Sequence, residues 1–144
     1  MVKRNIDEEF RSDVLVDIPK EHERRFGCSG KMLKPSRKSI EAFIKSVPRG
    51  AVLTSSSLRA VLAKRHSAQV TCPFLTKRAL VAIAEDPKSK APFWRVVMGN
   101  GDMIAAYPGG VTTQAKRLRS EGVRIASKGG KHRVADLRER HVAL

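Results

Sequence analysis

Apolar residues recur at helical spacing in three stretches of the middle of the chain. In "SRKSIEAFIKSV", Ile40, Phe43, Ile44 and Val47 fall at i, i+3, i+4 and i+7, which places them on one face of a helix. Pro35 and Ser36 mark a boundary before it, and Pro48 and Gly50 stop it. Leu58, Val61 and Leu62 give the face of a second helix, capped by Thr54 or Ser55. "KRHSAQV" ends that helix with cations where the helix dipole favours them. A third helix is predicted to start near Thr71 with Pro73 in its first turn, to run through "FLTKRALVAIAE", and to close at Asp86-Pro87. The second and third helices, joined by a short turn, make a helix-turn-helix candidate with "TKRALVAIA" as the recognition-type helix.

The pattern then changes. "FWRVVM" and "DMIAAY" flank Gly99-Asn100-Gly101 and predict a β-hairpin about an Asn-Gly turn. Pro108-Gly109-Gly110 breaks the chain, and "TTQAKRLRSEG" reads as a basic helix capped by Thr112 or Thr113 and ended at Gly122. Two short strands are expected around Lys128-Gly129-Gly130-Lys131. Residues 1–35 are charged and read as irregular, with one helical turn in "PKEHERRFG". These elements predict an α+β, mostly helical, winged helix-turn-helix-like domain over residues 36–125, with the hairpin as its wing. An N-terminal extension (1–35) and a basic C-terminal tail (126–144) flank it.

Charge narrows the class of partner. Lys and Arg number 29 against 14 Asp and Glu, for a net charge of +15. Such an excess favours a polyanion, because each phosphate contact releases condensed counterions. A solvated basic surface or a ribosome-associated protein is the plainer alternative. Cys28 and Cys72 lie far apart without CxxC spacing, so no disulfide framework is expected and a reducing compartment fits. "MVKRNIDEEF" lacks the apolar stretch of a secretory signal, and the longest apolar run, "ALVAIA", is too short to cross a bilayer. The expectation is a soluble cytoplasmic monomer, nucleoid-associated in a bacterium, with no membrane partner. His22, His66, His132 and His141 show no metal-ligand spacing, so neither a metal nor a cofactor is expected.

By residue 92 the order of signals, "VPRGAVLTSSSL", "CPFLTKRALVAIAEDP", "PFWRVVMGNGDMIAAYPGG" and "LRSEGV", resembles the DNA-binding domain of alkylguanine-DNA alkyltransferases. The match covers residues 36–125, about three-fifths of the chain. The tail "EGVRIASKGGKHRVADL" is similar to the end of the alkyltransferase-like proteins, the branch that lacks the nucleophilic cysteine. The resemblance implies a recognition helix inserted into the minor groove and a damaged guanine flipped into a pocket. In the repair enzymes a thiolate there takes the alkyl group, with a neighbouring histidine relaying its proton.

In this chain the family's Pro-Cys-His-Arg-Val stands as Pro92-Phe93-Trp94-Arg95-Val96. Neither ring accepts an alkyl group by displacement, so alkyl transfer at this position is chemically excluded. The alkyltransferase-like branch carries Trp at the cysteine position, whereas here Trp comes one place later. The arginine finger aligns with Lys77, or with Arg78 if the register slips by one; Lys lacks the planar fork of Arg. Leu80-Val81 replaces the Gly-Gly after the finger, Ser55 the phosphate-turning Tyr, and Asp86 the hinge asparagine. Tyr107, Gly109, Gly110 and Glu121 match.

The expected partner is therefore double-stranded DNA, alkylated or plain, with DNA repair proteins recruited to it. Ser55, Lys64, Arg65, Lys77, Arg78, Lys116 and Arg117 are the expected phosphate-contacting set. Phe93, Trp94, Arg95, Tyr107, Gly109 and Gly110 are the expected base pocket, with no catalytic residue. Alternatives stay open at several positions. Phe93 and Trp94 either stack on a base or fill the pocket; Gly109-Gly110 either walls the pocket or only turns the chain; Arg95 is mainly structural in the family. The whole chain also reads as a lesion-independent architectural or regulatory DNA binder. A third reading is an enzyme acting on DNA through Cys72 or an unrecognised group; Cys72, near a helix start where thiols can be activated, otherwise reads as an ordinary small core or cap-region residue.

Overall fold

The computed structural model describes residues 12–142. Strand β1 (Val14–Asp17) lies antiparallel to β2 (Lys31–Lys34), with helix α1 (Lys20–Phe26) between them. The stretch read as irregular is thus ordered in its described part; residues 1–11 lie outside the described residues. Leu33 is fully buried and packs in one cluster with Ile40 and Ile44, which is why so short a strand forms.

Helix α2 (Arg37–Lys45) follows the predicted boundary, and Ile40, Phe43, Ile44 and Val47 are all buried as its periodicity requires. Ser36 is its N-cap: the hydroxyl accepts the Ser39 N–H at 3.1 Å. Asp13 accepts both the Ser36 N–H and the Ser39 hydroxyl at 2.7 Å, adding negative charge where the helix dipole favours it. Ser36→Ala is expected to cost about 1 kcal/mol, seen as a lower urea midpoint with an unchanged slope.

Strand β3 (Leu53–Thr54) leads directly into helix α3 (Ser55–Arg65), and Thr54, not Ser55, caps it by accepting the Ser57 N–H at 3.2 Å. Strand β4 (Val70–Thr71) pairs parallel with β2 and completes a sheet of order β1-β2-β4. Helix α4 (Pro73–Glu85) starts and stops as predicted, with Pro73 in its first turn and Asp86 as C-cap. Leu75, Ala79, Leu80 and Ile83 form its buried face.

The predicted hairpin over "FWRVVM" and "DMIAAY" does not form. Phe93–Arg95 makes a single 3₁₀ turn, and strand β5 (Val96–Val97) pairs parallel with β3 instead. The tight turn itself exists, with the Gly101 N–H donating to the Met98 carbonyl at 2.8 Å. Its far flank is taken elsewhere, the Met103 N–H donating to the His132 carbonyl at 3.1 Å. Long-range pairing on both sides has overridden the local turn preference.

Helix α5 (Gly110–Ser120) begins earlier than predicted, with Gly109 as N-cap at φ +81°, so Thr112 and Thr113 lie inside it. The Thr113 hydroxyl donates back to the Gly109 carbonyl at 3.0 Å rather than capping. Strands β6 (Ile125–Lys128) and β7 (Lys131–Val134) form the antiparallel hairpin expected around Lys128–Lys131, and helix α6 (Leu137–Arg140) follows. The described residues thus form a mixed helix-and-sheet fold with six α-helices and three small sheets.

The β3–β5 pair divides the interior. Leu53 and Val96 point into the larger cluster, while Val52 and Val97 point into a smaller one with Met103, Ala115, Leu118 and Val134, as the two-residue alternation of extended chain demands. No helix among the described residues is long and apolar enough to cross a membrane.

Candidate nucleic-acid interface

The break between α4 and α5 opens a cavity of about 650 Å³, within the size range of ligand sites. Phe93, Trp94 and Tyr107 line it, together with Gly109, Gln114 and Arg117. Phe93 stands edge-on to both Trp94 and Tyr107, with ring centroids 5.4 and 5.2 Å apart. The Arg117 guanidinium lies over both rings, 4.4 Å from the Trp94 centroid and 5.5 Å from that of Phe93. A cation over indole at this distance gains from the ring quadrupole. Phe93 and Trp94 are half-buried, so they line the space without closing it. Tyr107 is only 2% exposed, and burial pushes its phenol well above the usual range, keeping it neutral.

Arg95 points away from this space, as its structural role in the resembling family implies. Its Nε and Nη2 donate to the two Glu121 carboxylate oxygens at 3.0 and 2.6 Å, and Nη1 donates to the Val47 carbonyl at 2.8 Å. Burial opposes the Glu121 charge, but the Arg95 hydrogen bonds outweigh it and hold the carboxyl below the usual carboxylate range. The Trp94 indole N–H sits close enough to that carboxylate to lower its pKa further, without meeting hydrogen-bond geometry.

Gln114 is the important residue that sequence reasoning missed. From the buried face of α5 its amide donates to the Trp94 and Val96 carbonyls at 3.0 and 2.8 Å, and its oxygen accepts the Ile104 N–H at 2.7 Å. It thereby fixes both strands of chain that border the cavity. A lone Gln in a basic helix carries no pattern that would have marked it. Gly109 and Gly110 both adopt positive φ, and a Cβ on Gly109 would meet the Thr113 hydroxyl at 2.3 Å, so the turn itself demands glycine. Gly109 also lines the cavity; Gly110 does not.

The expected phosphate contacts fall in separate places. Lys77 and Arg78 lie on the exposed side of α4 and border a second depression of about 490 Å³ with Phe74 and Val81. Lys116 is exposed on α5, beside Arg117 at the cavity. Lys64 and Arg65 occupy the last turn of α3, where Arg65 stacks over Phe43 at 4.6 Å and borders neither space. Ser55 is only 8% exposed, turned inward by the first turn of α3, and offers a phosphate little surface; the exposed hydroxyl there is Ser56. Asp86, at the hinge position, pairs with Arg37 and accepts the Lys88 N–H at 2.9 Å, tying the end of α4 to the start of α2. Cys72 is buried beside the start of α4, and neither it nor the half-buried Cys28 lines the cavity.

No family model and no curated protein matches the chain. Among solved structures it is similar to S. pombe Atl1 in complex with damaged DNA containing O6-carboxymethylguanine. The TM-score is 0.56 at 20% identity, covering 75% of this chain and 94% of that one. It is likewise similar to S. pombe ATL in complex with DNA, with a TM-score of 0.57 at 21% identity and the same coverage. Across three quarters of its length, this chain shares its fold with the alkyltransferase-like protein Atl1.

Proposed function

We propose that the protein binds duplex DNA and marks alkylated guanine without performing chemistry on it. The observation that carries this reading is the open cavity walled by Phe93, Trp94 and Tyr107, with Arg117 over the rings. It occurs in a fold shared with proteins crystallised on DNA. An extruded base would stack on the Trp94 face in place of the Arg117 guanidinium, with Phe93 edge-on beside it, and no thiol borders the space to accept its alkyl group. Helices α3 and α4 would act as the helix-turn-helix, with α4 in the minor groove; the hairpin expected as the wing does not form, and the basic β6–β7 hairpin would take its place. Lys77, Lys116 and the other exposed cations would hold phosphates. Such a protein would work in the cytoplasm, at the nucleoid in a bacterium, and hand the site to repair proteins.

One observation favours the lesion-independent reading: the edge-on packing of Phe93 against Trp94 and Tyr107 satisfies the three rings without a base. Fluorescence anisotropy separates the two. Matched duplexes with and without one O6-methylguanine, titrated at two salt concentrations, should show about tenfold tighter binding to the lesion, retained at the higher salt and lost in Trp94→Ala. Equal affinities that fall together with salt would leave only a DNA grip.

A further inference from the structure

We propose that Phe74 is an apolar wedge that enters the base stack of duplex DNA from the minor groove, with Lys77 and Arg25 holding the flanking phosphates. This rests on the DNA-binding reading above and adds a device to it. Phe74 is 61% exposed, the most exposed large hydrophobic among the described residues. It stands in the first turn of α4, whose buried face is complete without it. Phe74 and Lys77 are three residues apart, hence neighbours on one helix face, and both border the 490 Å³ depression. Arg25, on α1, places its guanidinium 5.1 Å from the Phe74 centroid and borders the same depression.

Two features select the occupant. Arg25, Lys77 and Arg78 border the depression against one carboxylate, Glu85, so the surface suits an anionic partner better than an apolar peptide. Lys77, on the same helix face, ends in an ammonium with no flat side to offer a base. The aromatic ring on this face is Phe74, one turn earlier; Arg78, four residues on, adds a planar guanidinium to the same surface. Aromatic and aliphatic wedges of this kind unstack a base step and kink the duplex. Arg25 covers one face of the ring in the free protein and must swing aside to reach a phosphate, uncovering the ring as the charge is engaged.

The test uses the full chain and short end-labelled duplexes, plain and carrying O6-methylguanine. Affinity is read by anisotropy and bending by energy transfer between the ends. Phe74→Ala, an exposed change that leaves the core intact, should bind about tenfold more weakly and lose the bend, while its salt slope stays that of the wild type. Phe74→Leu should retain most of the bend, since Leu also serves as a wedge. A wild-type complex with straight DNA, or a bend equal in Phe74→Ala, overturns the wedge alone. Unchanged affinity in Phe74→Ala also overturns it and leaves the ring to a protein partner. Failure of the wild type to bind either duplex overturns the DNA reading and the wedge together.

Discussion

Arg95→Ala is expected to lower the unfolding free energy by about 3–5 kcal/mol. The side chains of Arg95 and Glu121 are 14% and 4% exposed, so the carboxylate left behind loses its hydrogen-bonded counter-charge where little water reaches it, and keeps only the charge of Arg49. The Val47 carbonyl at the end of α2 loses its donor as well. Urea unfolding measures the loss directly. Arg95→Lys should fall between the two, since an ammonium restores charge but not the two-pronged bond. Acid titration gives an independent check. In the wild type the folded Glu121 pKa lies below the ordinary glutamate value of about 4.3, so the stability it contributes is complete above that value. That contribution is lost as pH falls through the folded pKa. In Arg95→Ala only Trp94 and the Arg49 charge are left to oppose burial, so the folded pKa rises relative to the wild type and acidification should cost this variant less stability than it costs the wild type.

Gln114→Ala is the second large effect, about 2–4 kcal/mol. It strands the Ile104 N–H and the Val96 carbonyl, whose bonds are buried, and takes the donor from the Trp94 carbonyl at the edge of the cavity. Gln114→Glu should be no rescue. It keeps an acceptor for Ile104 but turns the donors facing two carbonyls into a charged oxygen. Both variants should also loosen the segment carrying Phe93 and Trp94. Lesion discrimination in the anisotropy assay should therefore fall more than plain-duplex affinity does.

Helical periodicity made α2, α3 and α4 legible, because three or four buried residues at fixed spacing identify a face before any partner is known. Two-residue strands carry no such period. β3, β4 and β5 exist because Leu53 meets Val96 and Leu33 meets Thr71 across long separations, which no local window contains. The Asn-Gly signal correctly located a turn at 98–101, yet beyond one bond from the Met98 N–H to the Asp102 carbonyl at 2.9 Å its flanks joined β3 and β7. Thr112 and Thr113 looked like caps because the capacity of Gly109 to start a helix at positive φ depends on how Tyr107 is seated; the Tyr107 carbonyl accepts the Gly110 N–H at 2.9 Å. Of the proposed pocket, Phe93, Trp94, Tyr107 and Gly109 could be named from motif order alone. Arg117 over the rings and Gln114 beneath them depend on how α5 is rotated, which sequence spacing does not state.

The division of the interior by β3 and β5 has a consequence for synthesis of the chain. Every buried member of the larger cluster has been made once Tyr107 is added, whereas the smaller one waits for Ala115, Leu118, Val123 and finally Val134. A released chain that ends within residues 108–133 can therefore complete the first while the second stays incomplete. Such a prematurely ended chain leaves Val52, Val97 and Met103 as an uncovered apolar strip on a domain that is otherwise shut, and that strip is where a chaperone or an aggregate would take hold.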